Sequence, residues 1–267
     1  MTHFSTLLRL HGAALFGLSI LAVAAPAPPS IDVKKVSTTV HDVVVPRPDE
    51  VFGALNKLGN VNWKDYVRTD RGSNFTDRPR IALLLGSVIA DGFIAVQAED
   101  TPAVKEIGQR VQNLAERINV KDTITPHAKA IIEGADKKRW AAVRQELDKT
   151  QNEVQDAMRE LDDQKLSQLV SLGGWLRGTE VLTAVVTKNF KEEGAELLHQ
   201  PDLLTHFQSQ LQAMPEFKSQ TPLIDQIHAA LVEVKPLIAS PKKISPEAVR
   251  KINEITTRLD TAIVTKQ

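Results

Sequence analysis

Residues 79–98 are apolar on every side of a helical wheel, and after Arg80 in the first turn only Ser87, Asp91 and Gln97 interrupt them. A helix without a polar face lies either at the centre of a protein or in a membrane. Residues 166–190 have the same character. We expect these two segments to form the helical core around which the rest of the chain is organised.

A membrane-spanning role explains the two segments less well. Asp91 near the middle of the first would cost about 2.5–3.5 kcal/mol on insertion. The second carries Arg177 and Glu180. Charged side chains of this kind favour two core helices of a bundle, and no membrane span is predicted after the N-terminal segment.

Both segments contain glycine, which costs about 1 kcal/mol relative to alanine inside a helix. Ala82, Gly86 and Ala90 form a ridge of small residues, and residues 171, 174 and 178 form a similar one. Ridges of this kind allow two helices to cross at short distance. We therefore expect the two helices to pack directly on each other through their glycines.

Asp91 is the first candidate for a functional residue. An ionised carboxylate in an apolar helix needs a partner. Arg177 is the candidate partner if the glycine-bearing faces meet, although Arg177 could instead pair with Glu180 at i+3 on its own helix. A buried structural ion pair is the leading interpretation, and a polar floor for a ligand pocket is the alternative.

The N-terminal residues 1–24 have the features of a secretory signal peptide. Arg9 precedes an apolar run, which ends at the small-x-small motif Ala22-Val23-Ala24. The domain prediction is a signal peptide over 1–24, a Pro-rich leader and extended arm over 25–47, and a helical domain over 48–267. We expect an exported protein, either periplasmic or secreted.

Composition narrows the fold and excludes several kinds of site. The chain contains no cysteine, which excludes disulfides, thiolate metal sites and cysteine nucleophiles. Lys plus Arg and Asp plus Glu both number 33, so charge gives no indication of a nucleic-acid partner. The aromatic fraction is only 4%, which suits helices better than a β-sandwich. The prediction is an all-α single-domain bundle of eight or nine helices, without strand pairs.

Proline placement predicts where several helices begin. Asp77 is positioned as the N-cap of the first apolar helix. Thr101, Thr125, Thr221 and Ser245 each precede a proline. An N-cap oxygen satisfies an otherwise unpaired backbone N–H, and proline is well tolerated at the next position. Each pair therefore predicts a helix start, and a long amphipathic helix is predicted over 136–162.

Arginines surround the loop that precedes the first apolar helix. Arg78 and Arg80 lie at the helix N-terminus, which favours anions. The expectation is ordinary salt bridges with nearby aspartates, and the alternative is a binding site for a small carboxylate or phosphate. Glu196 and His199 match one half of a di-iron motif, but His199 precedes Gln200-Pro201 at a helix end, so no metal or cofactor is predicted.

The sequence contains no nucleophile elbow, phosphate loop or zinc-protease motif, and an enzymatic role is not favoured. The first hypothesis is an exported, non-enzymatic helical protein that scaffolds or binds a protein partner. The second is a periplasmic binding protein for a small apolar or anionic ligand held between helices. Its candidate ligand-binding residues are Asp91, Arg177, Glu180, Arg78 and Arg80.

Overall fold

A computed structural model gives the structure of most of the chain. The predicted signal peptide, 1–24, and the leader over 25–36 lie outside the described residues. The structure describes residues 37–40, 43–46, 48–59, 61–68, 75–161, 163–239 and 243–265.

The described ranges contain eleven α-helices, and the predicted all-α fold is confirmed. Their number exceeds the predicted eight or nine because α7 and α9 are short additions of four and six residues. Single 3₁₀ turns lie at Trp63–Tyr66 and Glu196–Leu198. The helices are α1 Pro48–Leu58, α2 Arg78–Gln97, α3 Thr101–Arg117, α4 Lys121–Asp136, α5 Trp140–Glu160, α6 Gln164–Lys188, α7 Glu192–Ala195, α8 Pro201–Gln212, α9 Pro215–Gln220, α10 Leu223–Ile238 and α11 Pro246–Val264.

The expectation that no strands pair was wrong for one part of the arm. β1, Ser37–Val40, pairs antiparallel with β2, Val43–Pro46, in a register that joins Val40 to Val43. Two residues separate the strands, which is the commonest loop length for a hairpin. The arm, whose residues here are mainly Val and Thr, thus supplies both strands of the pair. β2 lies against α8.

Helix α2 lies at the centre of the protein. Of its 20 residues, 17 are buried. It is the one described helix long and apolar enough to cross a membrane, and 94% of its most apolar window is buried inside the protein. Its most extensive contact is with α6, which in turn packs against α11. The two apolar segments therefore form the core that their sequences predict.

Glycines allow α2 and α6 to approach closely, as predicted. A Cβ added at Gly86 would lie 1.8 Å from the carbonyl oxygen of Val170. A Cβ added at Gly173 would lie 2.0 Å from the carbonyl oxygen of Leu83. Backbone therefore contacts backbone at two points of the crossing, and alanine does not fit at either glycine.

Three successive helix connections have the same geometry. Glu99, Asn119 and Lys138 have φ values of 53°, 65° and 53°, and they follow α2, α3 and α4. After each, the next backbone N–H donates to a carbonyl five residues earlier, as in a Schellman motif. These tight turns fold α2 to α5 as consecutive antiparallel neighbours.

The predicted helix starts are partly correct. Asp77 accepts from the N–H of Arg80, and Ser245 accepts from that of Ala248, as N-caps do. The cap of α3 is Asp100 rather than Thr101, whose hydroxyl donates to a carbonyl at the end of α4.

Two further boundaries were wrong. Helix α4 begins at Lys121, so Pro126 lies inside it, and Thr125 donates to the carbonyl of Lys121 rather than capping a helix. Pro126 is the sixth residue of α4 and has no N–H to donate to the carbonyl of Asp122, so one backbone hydrogen bond of the helix is missing there. The long helix predicted to begin at Asp136 begins at Trp140, because Asp136 ends α4.

Candidate functional site

Asp91 and Arg177 meet in the core between α2 and α6. The Nε of Arg177 donates to Asp91 Oδ1 over 2.7 Å, and both side chains are 3% exposed. The same guanidinium also donates to the Glu180 carboxylate and, over 2.6 Å, to the carbonyl oxygen of Tyr66. Arg177 therefore binds both of its predicted partners, Asp91 and Glu180, at the same time, because one guanidinium carries five N–H donors.

Arg68 completes this cluster from the loop before α2. Its Nε donates to Asp91 Oδ1 over 3.1 Å, and its terminal nitrogens contact Ser87 Oγ over 2.9 Å and the carboxylate of Asp260 on α11. The hydroxyl of Ser87 also donates to Asp260 over 2.9 Å. Burial lowers the pKa of Arg68 below its ordinary value, and the Asp91 carboxylate opposes this change.

Two guanidinium groups and three carboxylates thus form one hydrogen-bonded network, which we call the buried charge network. Its members come from α2, α6, α11 and the preceding loop. Buried charges are tolerated when they are paired and hydrogen-bonded, and removing one partner is strongly destabilising. We interpret this network as the contact that fixes the register of the three core helices.

The structure places Arg78 and Arg80 apart from the network and from each other. Arg78 is exposed and pairs with Asp163 over 2.8 Å. Arg80 is buried over the ring of Phe75, at 4.6 Å from its centroid, and donates to the carbonyl of Thr265 over 3.2 Å. The two side chains therefore do not converge on a common anion site.

A cavity of about 120 Å³, which we call the central cavity, lies beside the α2–α6 crossing. Helices α1, α2, α5, α6 and α8 line it, and its surface is mainly apolar. None of the five candidate residues from the sequence belongs to this lining. The large apolar side chains around it are Phe52, Ile89, Phe93, Met158, Leu182 and Phe207.

The central cavity exists where α6 lacks side chains. Gly174 and Gly178 both line it, and a Cβ added at Gly178 would have no atom within 4 Å. A glycine whose Cβ would contact nothing thus lies one turn beyond Gly174, whose added Cβ would lie in ordinary contact with the backbone of Gly86. Sequence reasoning placed both in one ridge, because spacing alone does not distinguish a glycine that packs from one that leaves space.

A few polar side chains lie in the wall of the central cavity. The ring Nε2 of His206 lies 3.1 Å from Gln168 Oε1. The indole of Trp175 donates to Gln200 Oε1 over 2.9 Å. Apolar walls with a few polar groups are typical of ligand sites. No sequence motif joins these residues, which come from α6, α8 and the residue before α8.

A second charged group links α4 to α5. His127 on α4 is buried, and its Nδ1 and Nε2 lie 2.7 Å from carboxylate oxygens of Glu146 and Glu153 respectively. Each ring nitrogen donates in this arrangement when the imidazole is protonated. The hydrogen bond from His127 lowers the pKa of Glu153 below its ordinary value.

A more polar cleft of about 220 Å³ lies between α1, the 3₁₀ turn at Trp63–Tyr66 and the end of α6. Its charged groups already have partners, since Lys188 lies 3.4 Å from Asp65 and 5.0 Å from the ring centroid of Tyr66. These contacts raise the pKa of Lys188, the Tyr66 side chain most and Asp65 less. Lys188 is therefore already paired, and the cleft is a weaker candidate for an anion-binding site than its volume suggests.

Across the described residues, no group of three or more histidine, aspartate or glutamate side chains is arranged to hold a metal ion. No protein-family model matches the chain, and neither a curated protein nor a solved structure matches it significantly. The functional argument therefore rests on the central cavity.

Proposed function

We propose that this protein binds a small, mainly apolar ligand in the central cavity. The observation that carries the proposal is a mainly apolar cavity of about 120 Å³, partly open to solvent, beside two glycines of α6 that line it, Gly174 and Gly178. Ligand sites are typically concave, mostly apolar and lined by a few polar groups, and this cavity has those features.

The chemistry of the lining supports an apolar ligand. An apolar cavity of about 150 Å³ stays dry and binds a single aromatic ring. Burial of apolar surface provides roughly 25 cal/mol per Å² of driving force. The pairs His206–Gln168 and Trp175–Gln200 provide the polar groups that would orient such a ligand.

Binding of toluene and indole to the purified full chain tests the proposal, with isothermal titration calorimetry as the assay. Gly178→Leu is expected to abolish binding by filling the cavity. Gly178→Ala is the graded control: its single Cβ would meet no atom within 4 Å and takes up only part of the same space, so it should weaken binding less than Gly178→Leu does. A ligand that binds the native state at 100 times its Kd should also stabilise it by about 2.7 kcal/mol. Absence of binding by the wild type, or equal binding by Gly178→Leu, would contradict the proposal.

We also propose that the chain is exported, on the basis of Arg9, the following apolar run and the motif Ala22-Val23-Ala24. The intact mass of the protein recovered from the periplasm or medium tests this. Loss of residues 1–24 is the expected result, and recovery of the uncut chain from the cytoplasm alone would contradict it.

The scaffold hypothesis stays a prediction. Among the described large apolar side chains, Leu161 and Val232 are exposed, at 50% and 54%, and they lie at the end of α5 and on α10. Contiguous apolar patches are what mark many protein-binding surfaces. No such patch favours this role over ligand binding on the described surface, and stoichiometric co-purification of a protein partner would reverse this preference.

A further inference from the structure

A second cavity, of about 50 Å³, lies next to the central cavity. Its walls come from α2, α3, α4 and α5, and they are almost entirely apolar. Ile89 on α2 belongs to the lining of both cavities. Ile89 is half-buried and thus lies in the wall of both spaces.

The two cavities follow each other along the interface of α2 and α5. On α2, Gly86, Ile89, Ala90 and Phe93 line the central cavity, and Ile89, Gly92 and Val96 line the second. On α5 the order is reversed, since Val154 and Met158 line the central cavity while Leu147 and Thr150 line the second. With a rise of 1.5 Å per residue, Gly86 to Val96 spans about 15 Å. The two cavities thus follow each other over about this length of the α2–α5 interface.

The polar groups are concentrated at one end of this space. His206, Gln168 and Gln200 lie in the wall of the central cavity. The polar side chain of the second cavity, Thr150, donates its hydroxyl to the carbonyl of Glu146 over 2.6 Å. An occupant would thus meet hydrogen-bonding groups at one end and apolar groups along the rest.

We propose that the ligand is an unbranched amphiphile, with an alkyl chain and one hydrogen-bonding head group. This inference rests on the proposed function of the central cavity. The head group lies near His206 and Gln168, and the chain passes Ile89 into the second cavity between α2 and α5. A compact aromatic ligand would use the central cavity alone.

The first test is the affinity of the wild-type full chain for unbranched primary alcohols from butanol to dodecanol. Transfer of one methylene from water to an apolar site contributes about 0.8 kcal/mol, which is about fourfold in Kd. The expected result is a Kd that tightens about fourfold per methylene beyond hexanol and then stops tightening. A Kd that stops tightening at hexanol would overturn the inference and leave the central cavity as the whole site.

The second test fills the second cavity with Gly92→Leu. A Cβ at Gly92 would lie 3.5 Å from the Cγ2 atom of Ile107, which is ordinary contact, so the larger side chain extends into this cavity. We expect unchanged affinity for toluene and butanol and at least a tenfold weaker affinity for dodecanol. Gly92→Ala is the graded control: its Cβ takes up only part of this cavity, so it should weaken the affinity for dodecanol less than Gly92→Leu does.

The two proposals fail in different ways. If the wild type binds neither toluene nor any alcohol, the proposed function itself fails. If it binds toluene and butanol but Gly92→Leu binds dodecanol as tightly as the wild type does, only the elongated ligand is refuted. Circular dichroism and thermal unfolding establish whether each variant is folded. If Gly92→Leu does not fold, the alcohol series on the wild type still decides the question.

Discussion

Gly86→Ala tests the close crossing of α2 and α6. The added Cβ would lie 1.8 Å from the carbonyl oxygen of Val170 and 2.8 Å from the backbone nitrogen of Gly174, whereas real Cβ contacts are at least about 3.0 Å. The obstacle is backbone, which has no rotamer to change. The helices must therefore separate by more than 1 Å at this point.

The cost of this separation can be estimated from the contacts that it weakens. A radial gap of about 1 Å forfeits up to about half of the dispersion energy of each contact across it. Overpacking in a core costs about 1–3 kcal/mol and occasionally more. Helix propensity returns about 1 kcal/mol when alanine replaces glycine. Because this is the most extensive helix contact in the described chain, the cost lies at the upper end of the overpacking range, and we expect a net loss of about 2 kcal/mol.

The assay is urea-induced unfolding monitored by circular dichroism, with the free energy of unfolding obtained by linear extrapolation. Gly178→Ala is the matched control on the same pair of helices, and it should gain about 0.5–1 kcal/mol because its Cβ meets no atom within 4 Å. A loss of less than about 1 kcal/mol for Gly86→Ala would refute the close crossing, since propensity alone cannot hide a backbone clash of this size.

Three other substitutions test separate parts of the structure. Asp91→Ala should lower the free energy of unfolding by about 3–5 kcal/mol, because it leaves Arg177 buried with one partner fewer. Urea unfolding measures this loss, and a value below about 1 kcal/mol would contradict a buried pair. Because His127 lowers the pKa of Glu153 in the folded state, that carboxylate stabilises the protein above its unfolded pKa, near 4.5, and the stabilisation is lost as pH falls through the lower folded pKa. The melting temperature of Glu153→Gln should therefore fall less than that of the wild type between pH 5 and pH 3, and parallel curves would exclude this linkage. Lys138→Gly should raise the free energy of unfolding by about 0.5–1 kcal/mol by relieving a left-handed conformation at φ 53°, and a destabilised variant would show that the lysine side chain matters more.

The core could be predicted from the sequence because it depends on local pattern. A 20-residue segment with no polar face is buried whatever its neighbours are, and α2 follows this rule. The pairing of Asp91 with Arg177 could be predicted for the same reason, because each is a charged residue in an apolar helix. The caps at Asp77 and Ser245 are equally local.

The rest of the buried charge network depends on tertiary structure. Arg68 lies 23 residues before Asp91, in a loop without a periodic pattern. Asp260 could have been recognised from the sequence, because it lies beside the apolar residues Leu259 and Ile263 on the buried face of α11. A charge on an apolar face calls for a partner, and here the partners are Arg68 and Ser87.

Helix boundaries were wrong where a tertiary contact or a backbone turn replaced the expected side-chain cap. Thr101 donates to the carbonyl of Ala135 at the end of α4 instead of capping α3, which has Asp100 for that purpose. Lys138 adopts a left-handed conformation without being glycine, so no residue type marked the break between α4 and α5. The propensity of a lysine gives no indication of such a turn.

The glycines of α6 link stability and function in one helix. A glycine inside a helix costs about 1 kcal/mol, and at Gly173 close contact with the backbone of Leu83 explains why no larger residue fits. That explanation is absent at Gly178, where a Cβ would contact nothing. Packing alone would favour alanine there, because alanine would form the helix better without disturbing any neighbour. The property that glycine provides at this position is the empty space of the central cavity, and a ligand that fills it would supply the contacts that the glycine forgoes.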